Sequence, residues 1–122
     1  MRIFTTVLFL SAAAGCGGGS RLYLDTDVAE VPGFTAAAAK EVQMSGGLMQ
    51  SGTLEYTGSG DVAEVLRAYV ETMKGIGWTT AHVDTSGDRA VGTLRKDNRT
   101  CSLEFVKSSG KIHAVIKVGT TK

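Results

Sequence analysis

The strongest pattern of apolar and polar positions lies between residues 61 and 78, DVAEVLRAYVETMKGIGW. Val62, Val65, Leu66, Tyr69, Val70 and Met73 recur at the three- and four-residue spacing that places them on one helical face. Asp61 stands where a helix is capped, with Glu64 three residues on as its capping-box partner. Lys74 falls in the last turn, where the helix dipole favours a cation, and Gly75 and Gly77 mark the stop. Arg67, Glu71 and Lys74 occupy the opposite, wet face. Such a stripe needs an apolar surface to cover, and the flanking sequence supplies strands.

After Trp78 the period changes to two. Residues 78–84, 89–96, 100–107 and 111–118 read as four successive strands, separated by 85–88, by Asp97-Asn98 and by Ser108-Ser109-Gly110. In the last of them Ile112, Ala114, Ile116 and Val118 share an apolar face, while His113 and Lys117 look away. Cys101, Leu103 and Phe105 alternate in the same manner one strand earlier. Before the helix, Gly46-Gly47 is a hairpin cue with residues 48–57 as its second arm, in which Gln50, Gly52, Leu54 and Tyr56 share a face. The first arm is two-valued. Four alanines at 36–39 favour helix by propensity, whereas the alternation of Lys40, Val42 and Met44 with Glu41 and Gln43 favours a strand over 38–45, the reading adopted. Phe34, after the Val31-Pro32-Gly33 turn, is the expected first core anchor. The predicted fold is α+β: one amphipathic helix packed on a curved antiparallel sheet of five to six strands, in the order β-β-α-β-β-β-β, filling 31–122 as a single domain.

The N-terminus has a different character. Met1-Arg2 is a short positive start, residues 3–10 (IFTTVLFL) are apolar, and small residues lead to Cys16. The apolar run is too short for a permanent span and reads as a signal peptide over 1–15. Ala13-Ala14-Gly15-Cys16 resembles the lipobox of bacterial lipoproteins, with Ala13 where Leu is usual; an ordinary secretory signal is the alternative. The resemblance implies cleavage after Gly15 and a lipidated Cys16 carrying a thioether-linked diacylglyceryl group and an amide-linked acyl chain such as palmitate. Two or three chains anchor firmly, where one gives only marginal binding. Gly17 and Gly18 follow, without the Asp that retains such proteins in the inner membrane. The periplasmic side of the outer membrane is therefore the expected address if the cell has two membranes. Residues 16–30 are expected to form the lipidated cysteine and a flexible tether, with Leu22, Tyr23 and Leu24 in the interface or in an edge strand.

Charge adds an asymmetry. From Gly17 to Asp88 the chain has four basic and ten acidic residues; from Arg89 to Lys122 it has eight basic and two acidic. Pairing of a basic sheet with an acidic helix face is the favoured reading. The alternative is contact of the basic C-terminal strands with an envelope protein, lipid headgroups or an anionic envelope polymer. A near-neutral mature chain bound for the cell exterior argues against nucleic acid.

Candidate chemistry is sparse. Lipidation of Cys16 would leave Cys101 as the one thiol, flanked by inward positions and read as inert core. His82 and Asp84 form an H-x-D pair on one side of a strand, but two ligands make no metal site without partners, and His113 lies three strands along the meander. Glu55 and Glu104 have no spacing that makes them an acid/base pair, no G-x-S-x-G occurs, and Gly75-Ile76-Gly77 closes a helix instead of opening one. Trp78 could stack on a sugar, with Tyr69 beside it as a second ligand contact, although a Trp directly after an amphipathic helix suits a core lid. No catalytic residue, cofactor or metal is expected.

Tyr69-x-x-x-Met73-x-x-x-Gly77-Trp78, then Leu94-Arg95-Lys96 and Cys101-Ser102-Leu103-Glu104-Phe105, resembles small bacterial lipoproteins of unknown function across about residues 31–118. These are packing motifs, so the resemblance implies a fold and an address and transfers no active site. The leading expectation is a non-enzymatic interaction or envelope-assembly module. A binding module for an apolar or lipidic ligand, lodged between helix and sheet beside the small residues Ala90, Gly92 and Ala114, is the alternative. An enzyme using Cys101 or the His82/Asp84 pair ranks last.

Overall fold

The computed structural model describes residues 22–120, and the expected signal peptide over 1–15, with Gly15 and Cys16, lies outside them. The elements run β1 (Thr35–Ser45), β2 (Leu48–Gly58), α1 (Val62–Lys74), β3 (Thr79–Ser86), β4 (Arg89–Lys96), β5 (Arg99–Ser108) and β6 (Lys111–Thr120). All six strands join one antiparallel sheet in the order β1-β2-β6-β5-β4-β3. The last strand thus inserts beside β2, joining the hairpin before the helix to the meander after it. Among the described residues one α-helix accompanies an antiparallel sheet of six strands, as expected; strands far outweigh the helix, so the architecture is a strand-dominated open sheet and not clearly the α+β class expected.

The helix forms where its stripe predicts. The Asp61 carboxylate accepts from the Glu64 backbone N–H at 3.1 Å. Val62, Leu66, Tyr69, Val70 and Met73 are buried, and Val65 is half-buried against the same core. Gly75 is still helical; the left-handed residue is Gly77 (φ 113°), which lets the Trp78 N–H return to the Met73 carbonyl at 3.1 Å. The helix covers β3, β4 and β5.

A second cover corrects the expected tether. Thr26, Asp27, Val28, Ala29 and Val31 are all buried, ahead of Phe34, which is only half-buried. Tyr23–Asp25 forms one 3₁₀ turn, and Leu22 pairs with Ala29 in an isolated bridge. Folded structure therefore begins well before residue 31, and the stretch available as a tether is shorter than 16–30. We call residues 22–31 the strap.

The first arm of the hairpin is a strand, so alternation prevails over the propensity of its alanines because β2 supplies a partner. The second arm departs from the expected alternation. Met49 is buried where Gln50 was expected, because the β1–β2 register shifts between Lys40 and Met44, with Glu41 left-handed (φ 54°). Gly52 (φ 141°) makes this bulge possible, since a Cβ there would lie 2.8 Å from the Val42 Cα. Gly52→Ala is accordingly expected to cost about 1–3 kcal/mol, read as a lowered urea midpoint with unchanged slope.

Candidate functional site

The densest cluster of charge lies where the strap crosses one end of the sheet. At this end stand the β1–β2 and β4–β5 turns, the C-terminal end of α1 and the start of β3. The Asp27 carboxylate receives a bidentate fork from Arg99: Nη1 to Oδ1 at 3.0 Å and Nη2 to Oδ2 at 2.7 Å. Arg99 is 1 % exposed, and its Nη1 also donates to the Met49 carbonyl at 3.1 Å. Lys96 Nζ lies 3.1 Å from Asp27 Oδ2 and donates to the Ile76 carbonyl at 2.9 Å. The Arg99 guanidinium sits over the Trp78 ring, 5.1 Å from its centroid. Trp78 Nε1 donates to the Asp27 carbonyl at 2.7 Å, and the Tyr69 hydroxyl to the Ala29 carbonyl at 2.6 Å. Strap, helix end and three strands are thus tied through one carboxylate.

Burial alone would raise the Asp27 pKa, but the hydrogen bonds and charges of Arg99 and Lys96 outweigh it and hold the carboxyl at about 2. Hydrogen bonding to Asp27 raises Arg99 further. Burial pushes Tyr69 well above its ordinary range, and Tyr56 to about 12. These shifts belong to groups consumed by packing.

The sequence-nominated residues are dispersed. Trp78 and Tyr69 are 1 % and 0 % exposed and face the core and strap, which removes them as contacts for an outside ligand. The space between helix and sheet is filled by Leu66, Tyr69, Met73, Trp78 and Phe105, with the Tyr69 and Phe105 rings 6.1 Å apart. Cys101 is buried between Leu94 and Val118, and burial pushes its thiol up to about 12. It should resist an aromatic disulfide reagent at neutral pH in the native protein and react at once in denaturant; rapid native labelling would contradict its burial.

His82 and Asp84 are exposed on the edge strand β3, on the face away from the helix, and His113 stands three strands off in a sheet that stays open. Among the described residues no group of three His, Cys, Asp or Glu side chains could hold a metal. Glu55 and Glu104 flank Val115 from opposite sides. Each is ion-paired, Glu55 with Lys40 at 3.1 Å and Glu104 with Arg89 at 2.7 Å. Both pairs are exposed, and Lys40→Ala or Arg89→Ala should change stability by about 1 kcal/mol or less in thermal melts.

The charge asymmetry resolves differently from expectation. Helix residue Glu71 pairs with Lys74 of its own helix at 3.4 Å, and Asp27 with Lys96 and Arg99 joins the acidic and basic halves. Lys107 donates to the Gly60 carbonyl at 3.0 Å. Arg95, Lys111 and Lys117 remain exposed. A surface concavity of about 490 Å³ lies at the β1–β2 bulge among Glu41, Gln43, Ser51, Thr53 and Lys117 and is open to solvent.

Asp27 and Arg99 were both missed as a pair. The signal available was an Asp just ahead of Val28, Ala29 and Val31, with Asp25 and Glu30 nearby, and an Arg one residue before the expected strand 100–107, neither distinctive. Comparisons with protein families, curated proteins and solved structures find no match to this chain.

Proposed function

We propose that this chain is a bacterial lipoprotein, anchored outside the cytoplasm through Cys16 and serving the cell envelope as a non-enzymatic interaction or assembly module. The observation that carries the reading is Ala13-Ala14-Gly15-Cys16, reached through Ser11-Ala12 from the largely apolar run IFTTVLFL at 3–10. Two features of the fold support it. The perturbed and buried polar groups, Asp27, Arg99, Tyr69 and Cys101, are held within the packed core, where a substrate does not reach them. The outer sheet face and both edge strands are open to solvent, a broad surface with small residues at its rim. No helix among the described residues is long and apolar enough to cross a membrane, so on this reading the acyl chains hold the protein in place. The likeness to small lipoproteins with a Tyr-x₃-Met-x₃-Gly-Trp helix end belongs to the same proposal, as does the outer-membrane address.

Mass spectrometry of the N-terminal peptide tests it: a diacylglyceryl-modified, N-acylated Cys16 is expected, and an unmodified Cys16 would refute the anchor. Cys16→Ser should move the protein from the membrane to the soluble fraction. Reproducible turnover of an envelope substrate by the purified protein, abolished by a point substitution, would overturn the non-enzymatic part.

A further inference from the structure

The turn at the start of the strap presents two leucines to solvent from a firmly held backbone. Leu22 is 40 % and Leu24 63 % exposed, while Tyr23 between them packs against the core. The Tyr23 N–H donates to the Val28 carbonyl at 2.8 Å, and both the N–H and the hydroxyl of Thr26 donate to the Tyr23 carbonyl at 2.8 and 2.7 Å. One residue later Asp27 is locked by Arg99, Lys96 and Trp78. Leu24 itself is left-handed (φ 46°, ψ 38°), a conformation that disfavours a side chain of its size. A strained backbone that projects apolar side chains outward, directly ahead of the buried residues Thr26, Asp27, Val28 and Ala29, is not explained by packing among the described residues. Met44, another exposed apolar side chain (47 %), lies at the same end of the sheet, paired with Met49, whose carbonyl binds Arg99.

Chain length identifies what covers these leucines. Leu22 is six residues from Cys16, a reach of about 20 Å even when fully extended. If Cys16 carries lipid, the turn cannot leave the neighbourhood of the bilayer surface. We propose that Leu22 and Leu24 insert into the acyl boundary of the same membrane that holds Cys16. The domain then stands with its strap end against the lipid. The opposite end, with the Gly87 and Ser109-Gly110 turns, faces away. The inference rests on the lipid-anchor reading and adds an orientation to it: the acyl chains hold the protein, and the turn fixes which surface it offers to partners. Aliphatic side chains at the headgroup level add binding by removing apolar area from water.

The test uses the full lipidated chain in vesicles of phosphatidylethanolamine and phosphatidylglycerol with brominated acyl chains. Leu24→Trp should give blue-shifted emission that the brominated lipid quenches and aqueous iodide does not. Lys111→Trp, at the far end of the sheet, should show the reverse. Trp78, buried in every variant, supplies the constant background. Emission from Leu24→Trp that iodide quenches and brominated lipid spares, in protein that floats with the vesicles, would overturn the insertion. Shielding from both quenchers would overturn it too, because protein and not lipid would then cover the turn. A chain that carries no lipid by mass and does not float removes the anchor reading itself, a result distinct from either.

Discussion

Leu66→Asp is expected to unfold the domain outright. Leu66 is fully buried at the centre of the helical stripe, directly above Gly92 of β4, where a Cβ would meet its Cδ1 at 3.6 Å. An ionised carboxylate at that place has no cation within its reach among the described contacts. Burying it costs several kcal/mol before the lost apolar contacts are counted, and an uncompensated charge costs more. A domain of this size has about 5–15 kcal/mol in total, so little or none of that margin survives. The neighbouring positions give the scale. Val65 is half-buried, and Val65→Asp can turn its charge toward water at a smaller cost; Arg67 is exposed, and Arg67→Ala should stay within about 0.5 kcal/mol. Far-ultraviolet circular dichroism and one-dimensional proton spectra decide the series. A folded Leu66→Asp variant with native chemical-shift dispersion would mean that the helix does not sit on the sheet as described.

Much of this fold was legible because its elements obey local rules. Helix 62–74 has a capped start, a one-sided apolar stripe and a glycine stop, and each agrees with the others. Strands β4 to β6 alternate cleanly because one sheet face is buried and the other wet, which fixes which residues point inward. The two-residue Gly46-Gly47 turn, with φ of 59° and 78°, fixed the first hairpin although its alanines favoured helix. What failed was non-local. Met49 takes the inward place expected of Gln50 because the register with β1 shifts there and leaves Gln50 without a partner, an irregularity that alternation along 48–58 does not announce. Thr26-Asp27-Val28-Ala29 has no periodicity to mark it as structured; its burial depends on a sheet edge and a helix end assembled from residues 49, 69, 78 and 99. Trp78 and Tyr69 read first as core and second as ligand contacts, and their burial and their hydrogen bonds to the strap agree with the first reading.

The strap also accounts for part of the charge asymmetry between the halves of the chain. Of the eight basic residues after Asp88, Lys96 and Arg99 neutralise one strap carboxylate, Arg89 pairs with Glu104, and Lys107 binds a backbone carbonyl. Four of the eight are thereby used in holding the fold. Of the others, Arg95, Lys111 and Lys117 are exposed on β4 and β6, and Lys122 lies outside the described residues.

Asp27→Ala should be the other severe substitution, costing about 3–5 kcal/mol, because it strands a guanidinium that is 1 % exposed. Arg99→Met should cost less, since Lys96 remains 3.1 Å from the carboxylate and can turn to it from a partly exposed site. Combining Asp27→Ala with Arg99→Met should recover a large part of the loss, because no buried charge is then left unpaired. Urea titrations of the two single variants and the double variant measure the coupling. If the double variant is as unstable as the sum of the singles, Asp27 and Arg99 do not act as a pair. The pH dependence provides an independent reading with a fixed sign. The folded-state pKa of Asp27, about 2, lies below the ordinary 3.8, so its contribution is complete above 3.8 and fades as pH falls toward 2. The span corresponds to roughly 2–3 kcal/mol. Asp27→Ala should flatten that part of the acid unfolding profile while leaving the neutral-pH slope unchanged. A profile that keeps its full acid limb without Asp27 would place the titrating group elsewhere, and the strap would then be held by its backbone bonds to Trp78 and Tyr69 alone.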